Sequence, residues 1–137
     1  MRLERLKLQE VLKLYNRVML ASGGEPGVLK LDSLKSILER PFSGVSNKEF
    51  YKSLNEKAAV IMYSIVKYHP FVNGNKRMAY EITDIFLRRN GYYISTKVNE
   101  IFRVLNQIAE GKFTQEQTAQ WLESRLRRTV LLSLIHI

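Results

Sequence analysis

Tyr63-Ser-Ile-Val-Lys-Tyr-His69-Pro-Phe-Val-Asn-Gly-Asn-Lys-Arg77-Met-Ala79 is the stretch that decides the fold. Upstream of His69, apolar residues recur every three or four positions through Phe50, Leu54, Ala58, Ile61, Met62, Ile65 and Val66. That period belongs to a helix with a buried face. It predicts the longest helix of the chain, capped by Asn47 and running to Tyr68. The helix must stop at His69-Pro70, because a residue before proline is pushed out of the α region. The pattern resumes from about Asn75 to Arg89, and Asn90-Gly91 ends it with a left-handed turn. Two strong helices joined by a short polar turn are thus expected at the centre of the molecule.

Working outward, the remaining segments read as helical too. Leu6 to Leu20 places Leu6, Val11, Leu12, Leu14, Tyr15, Val18 and Met19 on one face, and Gly23-Gly24-Glu25-Pro26-Gly27 breaks it. Asp32 is expected to cap a short helix with Leu34, Ile37 and Leu38 inward. Pro41 ends that helix, and Pro41 to Ser46 reads as a loop or short flap. Past an extended link at Tyr92-Tyr93-Ile94, Thr96 to Glu110 supplies Val98, Ile101, Phe102, Leu105 and Ile108. A final helix opens on the capping box Thr114-Gln115-Glu116-Gln117 and carries Ala119, Trp121, Leu122 and Leu126. The expected class is therefore all-α.

One domain is expected over residues 1–131. Residues 132–137 are set apart: Leu131-Leu-Ser-Leu-Ile-His-Ile137 is apolar and follows a charged helix without amphipathic spacing. Two readings of that tail stand, a sequence-assembly artefact or a native apolar tail docked on the core, so His136 is left out of functional reasoning. The chain has no cysteine, its opening residues are charged, and no apolar run approaches a membrane span. A cytoplasmic protein without a membrane partner is the expectation. The net charge of +9, from 22 Lys+Arg against 13 Asp+Glu, favours acidic or polyanionic partners. It is spread along the chain with no basic stripe, which argues against direct nucleic-acid binding.

Outside the tail, His69 is the sole histidine. A helix beginning just after Gly74 has unpaired first amides and the positive end of its dipole pointing outward, a ready cradle for phosphate. Gly74 lets an anion approach the backbone. Lys76 and Arg77 contradict the acidic preference of a first helical turn, and a bound anion among them would remove the conflict. Beside a polyphosphate, the neutral imidazole of His69 can take a proton from an incoming hydroxyl. Phe71 is expected to pin the loop into the core. Asn73 could meet magnesium or phosphate, although a carboxylate would serve magnesium better. The bland alternatives are a helix-capping His and an ordinary Gly-Asn turn.

His69-Pro70-Phe71-Val72-Asn73-Gly74-Asn75-Lys76-Arg77 resembles the motif of the Fic/Doc family, H-x-F-x-[D/E]-[G/A]-N-[G/K]-R. Gly23-Gly24-Glu25-Pro26-Gly27, the later Arg40-Pro41, and Phe86 to Tyr92 resemble Doc-like segments, so the likeness covers roughly Leu6 to Arg125. It implies a Fic/Doc helical bundle with the motif loop between two central helices and a flap over the site. It also implies a protein-modifying transferase using ATP as co-substrate with magnesium. His69 would be the base, with Lys76 and Arg77 catalytic, and Asn73, Gly74, Asn75, Lys76 and Arg77 would hold phosphates, with Asn73 also the metal ligand.

Two residues choose between branches of the family. Lys76 stands where adenylyltransferase members have Gly, and Tyr80 where they have a second Arg; both favour the Doc branch. That branch implies transfer of the γ-phosphoryl to a translation factor of the elongation factor Tu type, arrest of translation, and neutralisation by a Phd-like antitoxin. No Ser/Thr-x-x-x-Glu-Gly/Asn inhibitory segment occurs in the chain, which points to restraint by a separate partner. Adenylyl transfer and a catalytically impaired nucleotide- or antitoxin-binding fold are the alternatives. Asn73 departs from the family's acidic position, so an amide oxygen stands where a charge is usual.

Overall fold

A computed structural model describes residues 2–129; the tail expectations, His136 among them, lie outside the described residues. The order is α1 (Leu8–Ser22), α2 (Leu31–Glu39), a 3-10 turn (Arg40–Phe42), β1 (Gly44–Val45), β2 (Lys48–Glu49), α3 (Leu54–Tyr68), α4 (Asn75–Arg89), β3 (Tyr92–Ile94), α5 (Val98–Ala109), α6 (Gln115–Arg125) and β4 (Leu126–Arg128). The strands form two small antiparallel pairs, β1–β2 and β3–β4, so the architecture is helical as expected.

Helix α3 is the axis. Every residue from Lys57 to Met62 is buried, a run that no one-sided helix shows. It packs on α4, α5, α6 and α2, and Ala58 and Ala59, fully buried, let those neighbours come close. One hydrophobic cluster joins Leu6 near the start to Leu122 in α6. The motif turn lies between α3 and α4, at the end of the bundle where α2 also begins: the amides of Leu29 and Lys30 both donate to the Pro70 carbonyl, at 2.8 and 3.0 Å.

Several expected boundaries move. Helix α3 starts at Leu54, not beside Asn47, because Ser53 and Glu56 close a capping box in which Ser53 Oγ accepts from the Glu56 amide. Asn47 instead makes a hairpin turn with Ser46, at φ of 68° and 49°. Left-handed conformations at both central residues are what a tight two-residue hairpin needs. The flap is therefore the β1–β2 hairpin, and Phe50 is 57% exposed rather than helical core.

Helix α2 begins at Leu31 with Lys30 as its cap residue. The tie to Pro70 sets that start, and Asp32 sits inside the first turn, where its charge suits the helix dipole. In α5 the cap residue is Lys97 and Val98 is exposed. Leu126 leaves α6 to pair with Ile94 in β3–β4, because the chain meets the exposed backbone edge of β3 there. The Thr114 capping box, the αL glycine at Gly91 and the limits of α4 stand as expected.

Candidate active site

His69 caps α3 in the left-handed conformation, φ 49° and ψ 61°, while its amide still donates to the Ile65 carbonyl at 3.2 Å. A non-glycine residue held there stores roughly 1–3 kcal/mol of strain. The surrounding ties hold it, and the side chain gains nothing locally. His69 is exposed, and its imidazole makes no hydrogen bond among the described residues. Both ring nitrogens are open to a substrate.

The next residues are locked from several sides. Phe71 is 1% exposed and its ring stacks on Tyr15 of α1 with centroids 4.2 Å apart, so it pins the loop as expected. Val28 and Phe71 form an antiparallel bridge, and the Val72 amide donates to the Gly27 carbonyl at 2.8 Å. Alternation along this extended pair turns Phe71 inward and leaves Val72 54% exposed. Asn75 closes the turn: its Oδ1 accepts from the Phe71 amide at 3.0 Å, and its Nδ2 donates to the Phe71 carbonyl at 2.9 Å. The Asn75 side chain therefore shapes the loop, and what it has left for an anion is its backbone amide.

Gly74, at φ 78°, is the cap residue of α4. A Cβ there would fall 2.6 Å from Cε of Met19, a flexible chain end that could shift, so it is the left-handed backbone that favours glycine. The first bond of α4 runs from the Met78 amide to the Gly74 carbonyl at 2.8 Å. The amides of Asn75, Lys76 and Arg77 have no partner among the described residues, and no side chain caps the helix. Lys76 and Arg77 are exposed, and no acidic residue lies in that turn. Arg77 has only a loose contact with Glu81, 3.8 Å away, and Lys76 has no ion-pair partner among the described residues. Free amides, a helix dipole and two exposed cations thus share one turn, with the loose Glu81 contact as their one counter-charge among the described residues.

Asn73 is oriented by its neighbours. Its Nδ2 donates to the Glu25 carbonyl at 3.1 Å, and its backbone carbonyl accepts from the Tyr15 hydroxyl at 3.2 Å. A carbonyl can only accept, so the Glu25 contact fixes which end of the amide is nitrogen. Oδ1 makes no hydrogen bond among the described residues. Oxygen suits a metal and repels phosphate, which separates the two roles expected of Asn73. Among the described residues there is no group of three or more His, Asp or Glu that could hold a metal. The loop thus fits magnesium only as an ion carried chiefly by phosphate oxygens, with Asn73 Oδ1 as a neutral ligand.

The flap hairpin is anchored away from His69. Lys57, in the opening turn of α3, donates to the carbonyls of Pro41 and Tyr51 and pairs with Glu49 at 2.5 Å. Lys57 precedes His69 by about 18 Å of helix axis. A concavity of about 1100 Å³ lies on that side, lined by Arg5, Phe42, Lys57 and Arg89 among others. No motif residue is among those that line it.

Sequence reasoning assigned Tyr15 and Met19 to the core stripe and the Gly23–Gly27 segment to a break. In the fold they are the floor of the motif loop. The signal was the tight spacing of Gly and Pro ahead of a bridge-forming Val28, which only pairing with Phe71 makes legible.

The model of the Fic/DOC family matches residues 5–87, from the approach to α1 through the motif to the last turns of α4. The chain belongs to the Fic/DOC family, whose members are protein-modifying transferases. It is also similar to Toxin Doc of Mycolicibacterium smegmatis (strain ATCC 700084 / mc(2)155), with 32% identity over 92 residues that span 66% of this chain and 71% of that protein.

Proposed function

We propose that this chain is a Doc-type toxin that transfers the γ-phosphoryl group of ATP to a hydroxyl of a translation factor of the elongation factor Tu type. The observation that carries the reading is the unneutralised first turn of α4, with Lys76 and Arg77 exposed beside free amides and His69 open at the facing end of α3. The amides and Arg77 would grip phosphate oxygens, and Lys76 would place a point charge on the group in transfer. His69 would accept the proton as the incoming oxygen attacks phosphorus. The new O–P bond forms as the β–γ bridge breaks, and ADP leaves with that electron pair. Magnesium would supply charge neutralisation for the phosphates when bound, and Asn73 Oδ1 would be its protein ligand.

The similarity to Toxin Doc supports a toxin restrained by a separate Phd-like antitoxin. No helix among the described residues is long and apolar enough to cross a membrane, in keeping with a cytoplasmic target. The experiment is label transfer to the purified translation factor from ATP labelled at either the γ- or the α-phosphate. Transfer of the γ label is expected, and His69→Ala should lower it by about 10²–10⁴-fold. Transfer of the α label instead replaces phosphorylation with adenylylation. Nucleotide binding without transfer marks an impaired site, which Asn73→Asp should then rescue.

A further inference from the structure

Tyr15 lies in α1, far from the motif in sequence and 1% exposed. Its hydroxyl accepts from the Gly27 amide at 3.1 Å, and its one proton lies between the carbonyls of Gly27 and Asn73 at 3.1 and 3.2 Å. The ring stacks on Phe71. A single side chain thus ties α1, the segment before α2, and the motif loop at the residue that departs from the family's acidic position. Asn73 is held twice, by Tyr15 at its backbone oxygen and by the Glu25 carbonyl at Nδ2. Both ties leave Oδ1 without a partner among the described residues.

We propose that Tyr15 is a positioning residue that presents the Asn73 amide oxygen to a nucleotide-bound divalent cation. An aspartate needs no such restraint, since either of its oxygens can ligate and its charge draws the cation in. An amide has one ligating oxygen and no net charge, so half of its orientations would put an NH₂ group against the metal. The Glu25 carbonyl removes that wrong orientation, and Tyr15 holds the backbone from which the amide projects, which is how residues behind a metal ligand sustain affinity. The inference rests on the nucleotide reading of the motif loop.

The test is calorimetric binding of a non-hydrolysable ATP analogue, with and without Mg²⁺, to the full chain and to Tyr15→Phe, Asn73→Ala and the double variant. Tyr15→Phe keeps the ring stack and removes the hydroxyl. It should weaken binding with Mg²⁺ about tenfold and leave Mg²⁺-free binding unchanged. The double variant should bind no more weakly than Asn73→Ala alone, because Tyr15 acts through Asn73. Equal losses with and without Mg²⁺, or additive losses in the double variant, overturn the proposal.

A direct readout on the unchanged protein decides the matter if Tyr15→Phe fails to fold. The Asn73 side-chain amide signal in NMR should shift when Mg²⁺ is added to the nucleotide complex. A signal that ignores Mg²⁺ overturns the proposal. Failure of the unchanged protein to bind the analogue at all removes the nucleotide reading itself, a result distinct from either of these.

Discussion

The two ends of α3 treat positive charge in opposite ways. At its opening turn, Lys57 is 2% exposed and fully engaged, with two carbonyls and the Glu49 carboxylate around its ammonium group. The Phe42 ring lies 4.9 Å from the same nitrogen. Beyond its closing end, Lys76 and Arg77 stand exposed in a first helical turn that repels them, while His69 is held in a strained conformation with its ring idle. A cation whose every donor is satisfied is explained by folding. Cations placed against the local preference, among unpaired amides, are not explained by folding, and they support the anion site proposed above. The contrast separates a lysine that folding explains from one that it does not, where composition sees two equal charges.

The sharpest way to break the contrast is Lys57→Met, which fits the space but strips partners from two carbonyls. It should destabilise the protein by about 3 kcal/mol in urea unfolding. Glu49→Gln at the same clamp should lose under about 1 kcal/mol, since Glu49 is 48% exposed and solvent screens the pair. Equal losses from the two variants would mean that the ion pair, not the carbonyls, holds the hairpin.

Lys76→Ala should do the reverse. Stability should hold or rise by about 0.3–1 kcal/mol as a charge leaves the positive end of a helix, while affinity for ATP falls about tenfold. A Lys76→Ala protein that unfolds more easily would make this lysine structural too.

The smallest effect is expected from acid. Arg125, with Thr96 and Trp121 assisting, holds the Glu100 carboxyl down at about 2 from an ordinary 4.5. Glu10 is likewise lowered to about 2, chiefly by Arg89. A lowered folded pKa contributes stability above the unfolded value and loses it as pH falls through the folded one. The α5–α6 and α1–α4 ties should therefore weaken between about pH 4.5 and pH 2. Glu10 is 38% exposed and Glu100 19%, and solvent screens such pairs in part, so the change in melting temperature should be modest, and Glu100→Gln should flatten part of it.

How much could be read in advance differs by residue. Pro70 after His69 ended α3 correctly, because proline's restriction on its predecessor acts locally. Thr114-x-x-Gln117 and Gly91 were equally legible, since caps are satisfied by neighbours in the chain. Ser53-Leu-Asn-Glu56 carries the same kind of cap signal, but the apolar period running back to Phe50 extends the expected helix past it. Nothing in a one-dimensional pattern says that Ser46 and Asn47 both turn left-handed and that Phe50 faces solvent. Leu126 failed for a related reason: the free edge of β3 that captures it is supplied from more than thirty residues away.

By itself, the sequence determined that this is a helical protein of the Fic/DOC family, with His69, Gly74, Lys76 and Arg77 in one turn, because all of those signals lie within a few residues of one another. Only the tertiary structure decided what each residue of that turn has free to offer. It occupied the Asn75 side chain with Phe71, turned the Asn73 oxygen outward, and made Tyr15 and Met19 the floor beneath Gly74. Hydrogen-bond partners for a polar group are assigned by whichever segment arrives beside it. Here those segments come from α1 and the residues before α2, which no local pattern in the motif could specify.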